Sequence, residues 1–230
     1  MRIAYRLLVL AFSSLILVAC TNKEPEERAA FIAWLQTQVV DASGARVPEL
    51  DESQRDALGQ YAEQYAVLND FQALAQAQVL HLANTFDHER LGSVAQIQAR
   101  HEILRADRRA LTNGLQSLRL AVERARASQA EWDQPADLRA VYDAAFNKTV
   151  TFSMAELEAL TLVALAALND TLSVADYLQA HANQLTTDGD TAAVRDPSVQ
   201  RDLNQLLEKL NGHTDAIEAA TARLQELQSY

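Results

Sequence analysis

The chain has 230 residues, 49% of them hydrophobic and 22% charged, with 31 acidic against 20 basic side chains and a formal net charge of −11. A body this acidic is repelled by nucleic acid and by anionic lipid surfaces, so neither is read as a partner of its folded surface. One cysteine excludes a disulfide framework, and six glycines with four prolines favour long helices over sheets.

At the N-terminus, Arg2 and Arg6 flank the start of an apolar run, Leu7 to Val18, broken only by Ser13 and Ser14. About twelve residues suit a signal h-region and fall short of the ~20 needed to span a bilayer. Leu17, Val18 and Ala19 fit the large-small-small pattern that bacterial lipoproteins show before an acylated cysteine, and Cys20 follows. Residues 1–19 are therefore expected to be a cleaved lipoprotein signal. Cys20 is the expected lipidation site, because its thiolate is the nucleophile that takes a diacylglyceryl group. Each buried CH₂ contributes ~0.8 kcal/mol, and more than one acyl chain makes the anchor stable. By resemblance to the sorted lipoproteins of two-membrane bacteria, Thr21 after the cysteine favours the outer membrane, facing the periplasm. Residues 20–24 are the acylated cysteine and a short tether, and the four residues after Cys20 reach roughly 14 Å when extended, which keeps the body near the membrane. Cleavage takes the net charge to −13 and leaves 211 residues, with 25–230 as a single helical domain.

Pro25, Glu26 and Glu27 open a first helix whose apolar face is Phe31, Ile32, Leu35 and Val39. Asp41 to Gly44 breaks it. Asp51-Glu52-Ser53-Gln54 reads as a capping box that opens a second helix, running from Leu58 through Tyr65, Leu68, Phe71 and Leu82 to Phe86. A bend is expected around Asp87 to Gly92. A third helix, roughly Leu91 to Gln129, carries a 4-3 seam: Ile97, His101, Leu104, Arg108, Leu111, Leu115, Leu118, Val122. Its expected length is roughly 58 Å. After a loop at Trp132 to Pro135 comes a short helix through Val141, Tyr142 and Phe146. Ser153-Met154-Ala155-Glu156 reads as a second capping box, with Phe152 and Leu157 as its hydrophobic staple. The helix it opens is expected to reach about Leu185. Its apolar stretch is too short to span a bilayer, so it reads as a core helix. Thr186 to Arg195 reads as a polar loop. Asp196 and Pro197 start a last helix, with seam residues Val199, Leu203, Leu206, Leu210, His213, Ile217 and Leu224. The expected fold class is all-α, an elongated antiparallel bundle of about five to six helices.

Between His88 and Ala130 stand eight arginines against four acids. They are expected to pair with acidic neighbours and lay their stems over apolar surface; the alternative is a stripe for an acidic partner. A metal site needs ligands converging at short spacing, and His81, His88, His101, His181 and His213 offer none. His101-Glu102 is followed by Arg105 where a metalloprotease helix needs histidine. Asp188-Gly189-Asp190 resembles only a fragment of a calcium loop and reads as a polar turn. There is no nucleophile elbow and no phosphate-cradling glycine loop. Nothing in the sequence calls for a catalytic residue, cofactor or metal. His101, Arg108 and His213, all on seams, are the candidate ligand or partner contacts, and packing of their helices could bring His101 and His213 together.

The segments Lys23-Glu24 to Arg28, Phe31-Ile32, Leu35-Gln36, Arg46-Val47-Pro48, Tyr65-Ala66 and Leu68 resemble the YiaF-like lipoproteins of unknown function. So do Asp137-Leu138, Val141-Tyr142-Asp143, Ala145-Phe146 and Lys148. The resemblance implies a lipid-anchored envelope protein and carries over no catalytic residue. The expected function is a non-enzymatic module that contacts an unidentified envelope protein at the membrane surface. The alternative is a binding module for a small hydrophobic or anionic ligand held between helices.

Overall fold

Pro25 in the first turn and Glu24, Glu26 and Glu27 at the positive end start helix α1 (Glu24–Trp34), as expected. The protein is described here by a computed structural model covering residues 22–86, 93–188 and 191–228. Leu17-Val18-Ala19, Cys20, the Asp87 to Gly92 bend and Gly189-Asp190 lie outside the described residues. The fold is all-α, an antiparallel helical bundle, with one small hairpin among the described residues.

α1 continues into a π-helical turn, Leu35–Val40, and buries Phe31, Leu35 and Val39. The capping box at Asp51 is formed. Its carboxylate accepts from the Gln54 backbone N–H at 2.8 Å, and Gln54 Oε1 accepts from the Asp51 backbone N–H at 2.8 Å. That first hydrogen bond, helped by Ser53, holds the Asp51 carboxyl below the usual carboxylate range. The box opens α2 (Glu52–Leu58), which passes through a 3₁₀ turn at Gly59–Tyr61 into α3 (Ala62–Thr85). The expected second helix is thus kinked at Gly59. There φ is 52°, and a Cβ would overlap the Glu27 carboxylate.

The expected third helix is two helices. Ser93 caps α4 (Val94–Ala99) by accepting from the Gln96 N–H at 3.2 Å. The chain breaks at Arg100 (φ −104°, ψ 13°) and resumes as α5 (His101–Glu131), about 46 Å long. No glycine or proline marks this break.

The second expected capping box is not formed. α6 (Ala136–Phe146), a π turn (Asn147–Phe152) and α7 (Ser153–Ala180) make one unbroken 45-residue helix, about 67 Å long. Ser153 has helical dihedrals, and Phe152, the expected staple, is 49% exposed. The π turn keeps the ladder connected: the Ser153 N–H donates to the Val150 carbonyl, and the Thr149 hydroxyl to the Ala145 carbonyl at 2.8 Å. No free helix end remains to be capped. By length and composition this helix could cross a membrane. It nevertheless buries residues on every turn of α7, with α3 and α5 packed along it, as a bundle's core helix does.

Where a polar loop was expected, β1 (Leu185–Asp188) and β2 (Thr191–Val194) pair antiparallel, Leu185 opposite Val194. Asp196 accepts from the Ser198 N–H at 2.7 Å and caps α8 (Pro197–Asn211). The expected last helix bends at Gly212–His213, after which α9 (Thr214–Gln228) begins.

α3, α5 and α7 meet around Leu68, Leu82, Leu104, Leu111, Leu118 and Leu157, and α9 lies against α3 and α7. At their centre Gln78 is 1% exposed; its Nε2 donates to Thr161 Oγ1 at 2.8 Å and to the Leu111 carbonyl at 3.3 Å. Gly114 makes room for it, since a Cβ there would overlap Gln78 Oε1.

Candidate functional site

The two poles of the bundle are built differently. At the pole where α1, α3 and α6 begin, Tyr61 donates to Glu24 Oε1 at 2.6 Å. Burial first, then Glu24, pushes the Tyr61 hydroxyl up to about 12. Arg28 lies 3.8 Å from Glu24 and 3.7 Å from Asp137. Phe31 stacks on Tyr61 at 5.5 Å and meets Tyr65 edge-on at 6.4 Å, while Trp132 meets Tyr142 edge-on at 5.2 Å. Tyr65 donates to the Pro48 carbonyl at 2.7 Å. Lys148, on one π turn, donates to the Val40 and Ala42 carbonyls at 2.9 and 2.5 Å and so ties down the end of the other. The segments that carry the sequence resemblance, scattered from Glu24 to Lys148, therefore form one packed pole. Trp34 and Trp132 are half-buried in it.

At the far pole the candidate histidines separate. His101 is 9% exposed and shares a 2.6 Å hydrogen bond with Asp176, which also accepts from Arg105 at 2.8 Å. His213 is half-buried and bonds Asp170 at 2.8 Å, beside Lys209 at 2.7 Å. They do not meet. Each binds its own aspartate on α7. Burial alone would raise both carboxyls. The hydrogen bonds outweigh it and hold Asp170 and Asp176 below the usual carboxylate range. Arg108, expected on the α5 seam, is exposed instead. Leu104 and Leu111 take the core positions around it, and a guanidinium there would need a buried partner.

α7 is thus the hub of the charge pattern. Glu158 pairs with Arg119 and Asp176 with Arg105 on the α5 side; Glu156 pairs with Arg223 at 2.7 Å and Asp170 with Lys209 on the α8–α9 side. The basic stretch of α5 divides accordingly. Arg105 and Arg119 pair as expected, whereas Arg108, Arg109, Arg124 and Arg126 are exposed and form no ion pair among the described residues. Sequence reasoning missed Asp170 and Asp176, whose partners lie 43 and 75 residues away in the chain.

An open cleft of about 360 Å³ lies beside the break between α4 and α5, lined by Gln98, His101, Glu102, Ala175 and Gln179, whereas space within the core itself is scarce. A cavity of about 10 Å³, room for one water, lies among Phe86, Leu104, Ala164, Leu168 and Ile217. No group of three or more His, Cys, Asp or Glu side chains that could hold a metal ion occurs among the described residues.

The chain matches the family described as "Protein of unknown function (DUF3053)" over residues 7–225. It belongs to that family. It is also similar to "Uncharacterized protein YiaF" of Escherichia coli strain K12, 31% identical over 172 residues, which cover 74% of this chain and 72% of the relative. The Shigella flexneri protein of the same description matches to the same extent. No solved structure matches. Membership bears out the resemblance seen in the sequence, and it brings no assigned active site to the residues described above.

Proposed function

We propose that the protein is a lipid-anchored, non-enzymatic lipoprotein of the bacterial cell envelope. It is held through acyl chains on Cys20, faces the periplasm, more at the outer than the inner membrane, and acts as a protein-interaction module. The observation that carries the anchor is the sequence Leu17-Val18-Ala19-Cys20 behind a short apolar run with a basic start. The family match begins at residue 7, so this stretch belongs to the length shared with the family. The start of α1 at Glu24, within a few residues of Cys20, supports a body held close to the bilayer. The interaction role is supported by the solid interior and by titratable groups spent on ties between helices. His101, His213 and the α7 acids each have a structural partner, and none stands beside a nucleophile. The packed core weighs against a small ligand buried among α3, α5 and α7; the open cleft beside His101 is the place where such a ligand would have room.

Intact-mass analysis of the protein from membranes tests the anchor. A chain beginning at Cys20 and carrying acyl chains is expected, and a free thiol or a chain still beginning at Met1 overturns it. Affinity capture of the detergent-solubilised protein beside its Cys20→Ser form tests the role. A reproducible envelope partner that depends on acylation is expected; absence of any reproducible partner counts against the role.

A further inference from the structure

α7, packed by its neighbours along most of its surface, leaves one apolar face open. Phe152, which leads into it, and Ala155, Ala159, Leu162 and Ala166 are all exposed, Phe152 to 49% and Leu162 to 52%. They recur at steps of three and four, so they line up as one stripe, about 21 Å from end to end. Charges border the stripe without entering it. Glu158 pairs with Arg119 of α5 on one side, and Glu156 with Arg223 of α9 on the other. Apolar residues at heptad spacing between charged flanks are what a helix presents to another helix.

The order of the side chains says which helix fits. Laid antiparallel on a copy of itself about Ala159, the stripe sets Phe152 against the partner's Ala166 and Leu162 against the partner's Ala155. Ala159 meets its own counterpart on the axis. Each bulky side chain then faces an alanine, so the two faces interdigitate without voids. Parallel pairing would instead set Phe152 on Phe152 and leave gaps between the alanines. A contact in which residue i faces j while j faces i is an isologous, twofold one. The charges agree with it. The axis brings the Glu158 carboxylates of the two copies onto one edge of the contact. Arg119, which bonds its own Glu158 through one nitrogen and has 52% of its side chain exposed, stands beside the partner's Glu158 there.

We propose that the protein forms a twofold-symmetric dimer through this face, with α7 packed antiparallel on α7 of a second copy and the axis at Ala159. This goes beyond the interaction role above, whose partner is another envelope protein. A single stripe falls short of the ~800 Å² per partner of a standard interface, so the pair is weak in free solution. The axis crosses both rods and puts the two α1 ends at equal height, so one membrane can hold both anchors. Anchored there, the copies meet at a raised effective concentration.

The mature chain carrying Cys20→Ser, which is lipid-free and has no other cysteine, tests this. Sedimentation is expected to show a monomer–dimer equilibrium with a Kd of about 100 µM or tighter. Leu162→Glu, a surface change, is expected to weaken it at least 10-fold with an unchanged thermal melt. Oxidation is expected to link two copies of an Ala159→Cys variant through that one position. Phe152→Cys is expected to stay unlinked by itself, because its two copies stand about 21 Å apart, and to link when mixed with Ala166→Cys. A chain still monomeric at about 1 mM overturns the proposal, as does a Leu162→Glu variant that pairs as well as its parent. So does failure of Ala159→Cys to link, or linking of Phe152→Cys alone as readily as of Ala159→Cys. A monomer that binds lipid vesicles through the stripe and is released by Leu162→Glu overturns it too, in favour of a lipid contact. None of these readouts needs another envelope protein, so a failed affinity capture would strike the interaction role and leave them standing.

Discussion

A single buried amide shows how little slack the core allows. Gln78 joins three helices through Thr161 and the Leu111 carbonyl, and it fits only because position 114 has no side chain. Gly114→Ala is expected to cost about 1–3 kcal/mol by forcing Gln78 off its partners, a cost read as a lowered urea midpoint with unchanged slope. Neither residue stood out in the sequence, where Gln78 is one glutamine in a run of alanine and glutamine and Gly114 falls between the seam positions Leu111 and Leu115. The histidines were legible as seam positions but their aspartates were not, because Asp170 and Asp176 sit on opposite flanks of α7 and become partners only once α5 and α8 are placed. Arg108 was misplaced for a related reason. Heptad counting puts it on the seam, while the cost of burying a guanidinium turns it out to solvent.

Helix starts were the most legible elements, and one of them was false. Asp51 and Asp196 each cap a helix with their own side chain as read from the sequence, and Ser93 does so at a start the sequence places near Leu91. Ser153-Met154-Ala155-Glu156 has the same letters, but the chain arrives already helical from the π turn, so Ser153 has nothing to cap. The two sites should therefore respond differently. Asp51→Ala is expected to cost ~1 kcal/mol in thermal melts, and Ser153→Ala to fall within about 0.5 kcal/mol of the wild type. The hairpin was missed although Gly-Asp between two short runs is a recognised turn signal; its strands are only four residues each, and polarity suggested a loop. The bend at Gly212 has a glycine to mark it, and the break at Arg100 has no such mark.

Among the described residues, the acids of α7 fasten α5, α8 and α9 with cations, and this links the assembly to pH. Asp170 is the most enclosed of them, with 11% of its side chain exposed. Its folded pKa lies below the unfolded value of about 3.9, so its contribution is fully present above ~pH 4 and is lost as pH falls through the lower folded value. Asp170→Asn is expected to lower the melting temperature at pH 7 and to shrink the fall in melting temperature between pH 4 and pH 2, as scanning calorimetry across that range would record. Asp176, with 56% of its side chain exposed, is screened more and should matter less. The all-α bundle was readable from composition and helical periodicity. The ties that set one helix against another were not, because they depend on distance in space.

The position of α1 has a mechanical consequence. Glu24 and Arg28 are fastened to Tyr61 and Asp137, at the butt of a rod about 67 Å long whose other tip carries the hairpin and His101. Whatever grips the residues just ahead of Glu24 therefore holds the rod by its handle. Small rotations there sweep the far tip through a wide arc, so one fixed foot lets that tip sample a broad cap of the surrounding volume.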